Sequence, residues 1–161
     1  MSKISVLFVC LGNICRSPTA HAVFQSMVDR QCLSDNIFVD SCGTGDWHIG
    51  RAPDPRSQQH ALDRGYRMDN LRARLVKNSD FDQFDYILAM DNQNLADIKA
   101  MACQCFTGKM GLFLDFCCNP EYSMYSEVPD PYYGGDQGFS LVLDLIEDAS
   151  TELLNQIRER L

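Results

Sequence analysis

The run of residues from Ile4 to Val9 is almost entirely apolar, and it constrains the fold more than any other feature of the chain. Its β-branched and aromatic side chains, interrupted only by Ser5, are typical of a strand buried on both faces of a parallel sheet. A turn follows, and Pro18 then favours the start of a helix, because proline suits the first helical position. A buried strand, a turn and a helix in this order form the first unit of an α/β fold.

The same alternation of strand and helix patterns continues to the end of the chain. It predicts further strands at residues 37–39, 84–90 and 111–114, and further helices at residues 58–64, 92–102 and 138–160. Gly65 stands where the helix at residues 58–64 needs a C-terminal cap. The stretch 115–138 has no clear periodicity, and irregular loops of that length are often functional. We therefore predict a three-layer α/β fold, a doubly wound parallel sheet with helices on both faces, in a single domain over residues 1–161.

Charge and the lack of long apolar runs limit the partners of the protein. The 161 residues include 14 basic and 22 acidic side chains, so the net charge is −8 and neither nucleic acid nor an anionic membrane is expected as a partner. No apolar stretch approaches the roughly 18 residues of a membrane span, and no signal peptide is visible. The eight cysteines are therefore expected to be thiols in a reducing cytoplasm.

The turn between the first strand and the first helix, residues 10–17, combines a candidate nucleophile with a candidate anion site. Successive amide N–H groups in such a turn point inward, and the N-terminus of the helix adds positive potential. We expect Gly12 and Asn13 to take left-handed conformations and Ser17 to be the N-cap of the helix. These amides, together with Arg16, would favour a thiolate at Cys10.

Arg16 and Ser17 complete this interpretation of the turn. Arg16 offers a planar fork that matches two phosphate oxygens, and the Ser17 hydroxyl is placed to donate a hydrogen bond to the Cys10 sulfur. The residues that we predict to bind phosphate are Leu11, Gly12, Asn13, Ile14, Cys15, Arg16 and Ser17.

A candidate proton donor lies far from this turn in sequence, within the irregular stretch. Asp130 stands between Pro129 and Pro131, which restrict the backbone and suit a carboxyl group positioned for acid catalysis. The neighbouring Tyr132 and Tyr133 could flank an aromatic leaving group. Alone, the motif is more typical of a rigid turn with two packed tyrosines, and it is the Cys10 turn that favours the catalytic interpretation.

Residues 9–18 and 130–133 together resemble the low-molecular-weight protein tyrosine phosphatases, and the resemblance extends through residues 40–44, 73–74 and 84–91. It implies a four-stranded parallel sheet with the phosphate-binding loop after the first strand, at the switch point of the sheet. It also implies hydrolysis of phosphotyrosine, and of small aryl phosphates, through a cysteinyl-phosphate. Tyrosine-phosphorylated proteins would be the substrates, inorganic phosphate would be the product, and no cofactor would be needed.

The resemblance also implies a role for individual residues. Cys10 would be the nucleophile, Arg16 the phosphate clamp and Asp130 the general acid. The substrate pocket would be formed by Leu11, Trp47, Tyr132 and Tyr133, with His48 at its rim. The chain departs from the family at two positions. Leu71 stands where many members have a histidine that supports the loop serine, and Cys42 replaces a smaller residue.

The remaining cysteines leave several hypotheses open. Cys15 could form a disulfide with Cys10 and so protect it from irreversible oxidation. The pairs Cys103/Cys105 and Cys117/Cys118 lack the usual spacing of zinc ligands, and we predict no metal site. Three alternative functions remain: a thiol-dependent arsenate reductase of the same fold, a non-catalytic phosphotyrosine-binding module, and a redox-sensing protein.

Overall fold

The computed structural model describes residues 3–102, 104, 106–131 and 135–161. The strands are β1 (Ile4–Cys10), β2 (Ile37–Gly43), β3 (Tyr86–Ala89) and β4 (Lys109–Leu112). The helices are α1 (Arg16–Arg30), α2 (Pro55–Asp63), α3 (Asp80–Gln83), α4 (Asn92–Met101) and α5 (Gly135–Arg160). Between β4 and α5, the described residues include the 3₁₀ turns Phe113–Phe116 and Pro120–Tyr122.

The four strands form an all-parallel sheet in the order β2-β1-β3-β4, which confirms the predicted fold class. β1 pairs with β2 from Ile4↔Ile37 to Cys10↔Gly43 and with β3 on its other side. The chain leaves β1 for β2 on one side and reaches β3 on the other, so the carboxyl end of β1 is the switch point of the sheet. Ligands of open α/β sheets bind at such a crevice.

Alternate residues of β1 point into two separate hydrophobic cores. Val6 and Phe8 pack in the larger core, under α1 and α5, and Leu7 and Val9 pack in the smaller core, on the side of α4. Because successive side chains of a strand face opposite ways, a strand that is buried on both faces must be apolar throughout. Two layers of helices therefore enclose the sheet and hold the end of β1 rigidly.

The predicted starts of two helices are wrong in informative ways. α1 begins at Arg16 with Cys15 as its N-cap, so Ser17 is not the N-cap. The Thr19 N–H donates to the Cys15 carbonyl, so the helix starts two residues earlier than predicted. Pro18 fits because an amide this close to the N-terminus needs no partner within the helix. α2 starts at Pro55, since the Asp54 carboxylate accepts hydrogen bonds from two amides of its first turn.

The ends of two further elements also differ from the prediction. β4 covers Lys109–Leu112, and the chain then tightens into a 3₁₀ turn where the prediction continued the strand to residue 114. α5 begins at Gly135 rather than at residue 138. Gly65 follows the last turn of α2 with a positive φ of 88°, as expected for a glycine cap. No helix in the described part of the chain is long and apolar enough to cross a membrane.

Candidate active site

The backbone of residues 10–17, here called the phosphate loop, turns its amides towards a common centre. The carbonyl oxygens of Cys10, Leu11 and Ile14 accept hydrogen bonds of 2.8–2.9 Å from backbone N–H groups of the segment 44–54, outside the loop. Since the N–H of a peptide plane points opposite to its C=O, outward carbonyls leave inward amides. Together with the N-terminus of α1, these amides make an anion cradle.

Glycines allow close approaches around the phosphate loop. A Cβ at Gly43 would lie 2.6 Å from the Leu11 carbonyl oxygen, so any side chain there would push the loop away from β2. Gly12 does not have a positive φ, and the prediction of a left-handed conformation there is wrong. Its small size matters instead because a Cβ would lie 3.0 Å from the His48 ring. His48 therefore covers the loop directly at Gly12.

Asn13 holds the shape of the phosphate loop from inside. Its φ is 57°, which confirms the predicted left-handed conformation, one that asparagine tolerates better than most residues. The Asn13 Nδ2 donates to Ser17 Oγ at 2.7 Å, and its Oδ1 accepts from the Arg74 N–H at 3.0 Å. The side chain is buried, so both bonds are protected from water. Asn13 thus ties the centre of the loop to α1 and to the segment that contains Arg74.

Ser17 connects this framework to the candidate nucleophile. Cys10 is the last residue of β1, and its Sγ lies 3.0 Å from Ser17 Oγ and 3.3 Å from the Asn13 N–H. Ser17 Oγ is also 3.2 Å from the Cys42 carbonyl oxygen, which it can donate to. Because Asn13 donates to Ser17 Oγ, the single hydroxyl proton of Ser17 is available for the Cys10 sulfur or for that carbonyl.

Arg16 is held almost fully buried beside the cradle, with 6% of its surface exposed. Its Nη1 donates to Asp91 Oδ2 at 2.8 Å and to the Val128 carbonyl at 3.1 Å. Burial by itself lowers the pKa of Arg16, but the neighbouring Cys10 and Asp91 outweigh burial and hold that pKa above its ordinary value. The guanidinium is therefore charged, and its hydrogen bonds to Asp91 and to the Val128 carbonyl fix its orientation, as a phosphate clamp requires.

The anchoring role of Asp91 was not predicted from the sequence. Asp91 is the N-cap of α4, and one of its oxygens accepts from the Asn94 N–H while the other accepts from Arg16. A signal was present, since an acidic residue stands directly before a predicted helix and directly after a predicted strand. The carboxyl end of that strand is where site residues of parallel sheets collect.

One cavity of about 270 Å³ opens above the cradle. Asp130 reaches it from the stretch before α5, and Trp47 and His48 form its rim. Trp47 is 67% exposed, and its ring lies so close over Gly45 that a side chain at that position would displace the ring. The predicted pocket residues Tyr132 and Tyr133 lie outside the described residues. The cavity is lined by Cys10, Leu11, Gly12, Ile14, Cys15, Arg16, Trp47, His48 and Asp130.

The structure also accounts for the two departures from the family pattern. Leu71 packs against the larger core, and Ser17 is held instead by Asn13 and by the Cys42 carbonyl. The Cys42 thiol is buried in the smaller core, on the opposite face of the sheet from Cys10, and burial raises its pKa. Burial also raises the pKa of Cys15, to about 12, so that Cys15 is a neutral thiol at neutral pH.

The other cysteines lie away from this cavity or outside the described residues. Cys117 and Cys118 adjoin α5, where Asp148 accepts from the Cys118 N–H, and Cys103 and Cys105 are not among the residues that the structure describes. Within residues 3–102, 104, 106–131 and 135–161, no three His, Cys, Asp or Glu side chains form a group that could hold a metal ion.

Comparison with known proteins assigns this geometry to a family. The family described as low molecular weight phosphotyrosine protein phosphatase matches residues 5–161. The low molecular weight protein-tyrosine-phosphatase YfkJ of Bacillus subtilis is 42% identical over 156 residues, 97% of each chain. The low molecular weight phosphotyrosine protein phosphatase of Schizosaccharomyces pombe is 44% identical over 96% of this chain and 97% of its own.

A solved structure agrees with the sequence relatives. The crystal structure of a protein tyrosine phosphatase from Entamoeba histolytica superposes with a TM-score of 0.92 at 41% identity, over 98% of each chain. The match covers the whole sheet and the phosphate loop with its flanking elements. The chain belongs to the low molecular weight phosphotyrosine protein phosphatase family, and it is an enzyme that removes phosphate from phosphotyrosine.

Proposed function

We propose that this hydrolysis passes through a cysteinyl-phosphate, with Cys10 as nucleophile, Arg16 as phosphate clamp and Asp130 as general acid. The observation that carries the proposal is that one cavity contains all three side chains although Asp130 is more than a hundred residues from Cys10 in sequence. Leu11, Ile14 and Trp47 supply apolar surface around them, which suits the ring of a phosphotyrosine or of a small aryl phosphate.

In the first step, the Cys10 thiolate attacks phosphorus in line with the departing oxygen. The P–O bond to the phenol breaks as the Asp130 carboxyl group gives its proton to that oxygen, leaving a phosphorus–sulfur bond and an ionised Asp130. The amides of the phosphate loop and the Arg16 guanidinium hold the charge on the three equatorial oxygens. No metal ion is needed for that purpose.

In the second step, water attacks phosphorus and the phosphorus–sulfur bond breaks. Asp130 takes a proton from the attacking water and returns to its acid form, and inorganic phosphate is released. The electron pair returns to the Cys10 sulfur, where the Ser17 hydroxyl, 3.0 Å away, stabilises the leaving thiolate. Leu11, Gly12, Asn13, Ile14, Cys15 and Ser17 would surround the phosphate or shape the loop that does.

The cellular setting is a further part of the proposal. Family membership implies phosphoprotein substrates and a phosphate product, and we propose tyrosine-phosphorylated proteins in the cytoplasm. The described cysteines, including Cys10 and Cys15, are all free thiols, which suits a reducing compartment. We also propose that residues 1–161 act as a single phosphatase domain.

Hydrolysis of para-nitrophenyl phosphate, measured with a chelator present, tests the nucleophile and the metal-free mechanism together. Wild type should be active, and Cys10→Ser should retain less than about 1% of that activity, because the covalent route needs a thiolate. Cys32→Ser is a matched control, since Cys32 is an exposed cysteine at the end of α1. Higher residual activity in Cys10→Ser would reject the covalent mechanism.

Family membership favours the phosphatase over the three alternative functions, and the same preparation would reveal each of them by a distinct outcome. Thiol-dependent release of arsenite from arsenate, with no phosphatase activity in the reduced protein, would identify an arsenate reductase. Binding of a phosphotyrosine peptide without turnover would identify a binding module. Reversible oxidation of Cys10 with neither activity would favour a redox-sensing protein.

A further inference from the structure

Asp130 lies on a stretch with little regular structure, and something outside the stretch must fix its position. In residues 117–131, here called the acid segment, the helical residues are the 3₁₀ turn Pro120–Tyr122 and Pro131 at the end of the segment. A loop without internal hydrogen-bonded structure is mobile unless it is tied to rigid elements. The contacts of the acid segment just before Asp130 therefore contribute to where the carboxyl group lies.

Val128 provides the first attachment, two residues before Asp130. Its side chain is 1% exposed and packs in the larger core. Its N–H donates to the Met90 carbonyl at 2.7 Å, just beyond the end of β3, and its carbonyl accepts from Arg16 Nη1 at 3.1 Å. Pro129, which follows, limits the rotation between this anchor and Asp130. The acid segment is thus attached to the phosphate clamp itself.

Glu127 provides a second attachment, through its side chain. Glu127 Oε2 accepts a hydrogen bond of 2.7 Å from the backbone N–H of Asn92, the first residue of the ten-residue helix α4. The N-terminus of a helix carries unpaired N–H groups and a partial positive charge, so a carboxylate is favoured there. Asp91 caps the same helix through the Asn94 N–H, which leaves the Asn92 N–H to Glu127.

These hydrogen bonds form a closed series that connects the phosphate loop to the acid segment. Arg16 bonds Asp91, Asp91 caps α4, α4 bonds Glu127, and Val128, the next residue, bonds Arg16 again. We propose that Glu127 is a positioning residue for the reaction: its carboxylate holds the acid segment on the N-terminus of α4 and so keeps Asp130 within reach of the leaving oxygen. This inference rests on the general-acid role proposed for Asp130.

The test compares kcat/KM for two substrates that differ in their need for an acid. Phenyl phosphate releases a phenol with a pKa of about 10, like tyrosine, and needs a proton, whereas 2,4-dinitrophenyl phosphate releases a stable phenolate without one. Glu127→Ala should lower kcat/KM for phenyl phosphate by about 5- to 20-fold, since small displacements of a catalytic group are costly. The change for 2,4-dinitrophenyl phosphate should stay below about twofold, because that reaction does not depend on the acid.

Two further variants serve as controls: one removes the negative charge of residue 127 but keeps a hydrogen-bond acceptor, and the other removes a carboxylate elsewhere in the acid segment. Glu127→Gln keeps an oxygen that can accept from the Asn92 N–H, so phenyl phosphate turnover should recover to within about threefold of wild type. Glu121→Ala removes an exposed carboxylate from the same acid segment, where the described hydrogen bond of Glu121 uses its backbone N–H, and should leave both substrates unchanged. Thermal unfolding of each variant shows that the comparison is made between folded proteins.

The outcomes separate this inference from the proposed function. An equal loss on both substrates, or no loss on either, would overturn the positioning role of Glu127 if Asp130→Asn still slows phenyl phosphate selectively. If Asp130→Asn itself shows no dependence on the leaving group, the general-acid assignment fails, and the positioning role fails with it. A selective loss in Glu127→Ala that Glu127→Gln restores would support both.

Discussion

The phosphate loop and the acid segment meet at one cavity, but they are held in place in different ways. The phosphate loop spans eight residues, from the last residue of β1 into the first turn of α1, and bonds among Cys10, Asn13 and Ser17 shape its interior. The acid segment lies between β4 and α5 and is fixed near Asp130 by bonds to Arg16, Met90 and Asn92. The first region thus has hydrogen bonds within its own interior in addition to its bonds to the segment 42–54 and to Arg74, whereas the second, near Asp130, is fixed by bonds to elements distant in sequence.

This difference separates two tasks of catalysis. The amides of the phosphate loop can bind phosphate and stabilise charge without the Asp130 carboxyl group, because they are already oriented. Protonation of the leaving group requires a carboxyl group placed by tertiary contacts. We therefore expect substitutions in the two regions to have distinct kinetic signatures.

Among the variants that test whether phosphate binding and leaving-group protonation are separate tasks, Asp130→Asn should have the largest effect. Loss of a general acid should lower kcat/KM for phenyl phosphate by about 10²–10⁴-fold. Because the phosphate loop is independent of the carboxyl group, competitive inhibition by inorganic phosphate should change by less than about tenfold in the same variant. Steady-state kinetics with both ligands make the comparison. A parallel loss of phosphate affinity would mean that the two regions act as one unit.

A smaller effect is expected for Asn13→Ala, which tests the local organisation of the phosphate loop. The substitution removes the bonds to Ser17 Oγ and to the Arg74 N–H and leaves a buried donor unpaired, at a cost of about 1–3 kcal/mol in the free energy of unfolding. Chemical denaturation measures that cost. kcat/KM should fall for good and poor leaving groups alike, because the charge-stabilising loop is shared by both reactions.

Asn13→Gly is the matched control for that variant. Glycine accepts the φ of 57° without strain but also lacks the two side-chain bonds. If Asn13→Gly behaves like wild type, the hydrogen bonds of Asn13 are unimportant and only its backbone conformation matters. Similar losses in the glycine and alanine variants would assign the effect to the bonds.

The smallest expected effect concerns His21, on the helix that follows the phosphate loop. His21 Nδ1 lies 3.1 Å from Ser41 Oγ. Burial lowers the pKa of His21 below its ordinary value of 6.5, because the negative charge of Asp40, which raises this pKa, does not outweigh burial and the positive charge of Arg74. As the pH falls below about 6.5, the unfolded chain therefore binds a proton that the folded protein resists, and the free energy of unfolding decreases. The contribution of His21 to the free energy of unfolding should be present above about pH 6.5 and should be lost as the pH falls below it.

Urea denaturation at pH 7.5 and pH 5 measures this loss in wild type and in His21→Gln. The variant should lose less stability on acidification, by up to about 1.4 kcal/mol for each pKa unit by which His21 is lowered. The leaving-group dependence should be the same in both proteins, since His21 belongs to the phosphate-loop side of the comparison. An identical loss of stability in the variant would show that other groups cause the acid sensitivity.

Much of the phosphate loop could be predicted because its determinants are neighbours in sequence. Cys10, Asn13, Arg16 and Ser17 lie within eight residues between a buried strand and a helix, so their types and spacing indicate an anion site directly. The backbone conformation of single loop residues and the start of α1 were harder to predict from the sequence. Gly12 was expected to be left-handed, yet its small size serves to admit His48, and the start of α1 was misplaced because Pro18 fits more than one position in the first turn.

The order of apolar, polar and turn residues along the chain was thus enough to predict the α/β class, the parallel sheet and the phosphate loop. These features depend on residues that are close together in sequence. Tertiary structure alone decided that Asp91 holds Arg16, that Val128 and Glu127 anchor the acid segment, and that Asn13 and the Cys42 carbonyl support Ser17 where the family pattern suggested a histidine. Hydrogen bonds between distant segments depend on how the strands are ordered and where each loop returns, and no local pattern in the chain encodes that.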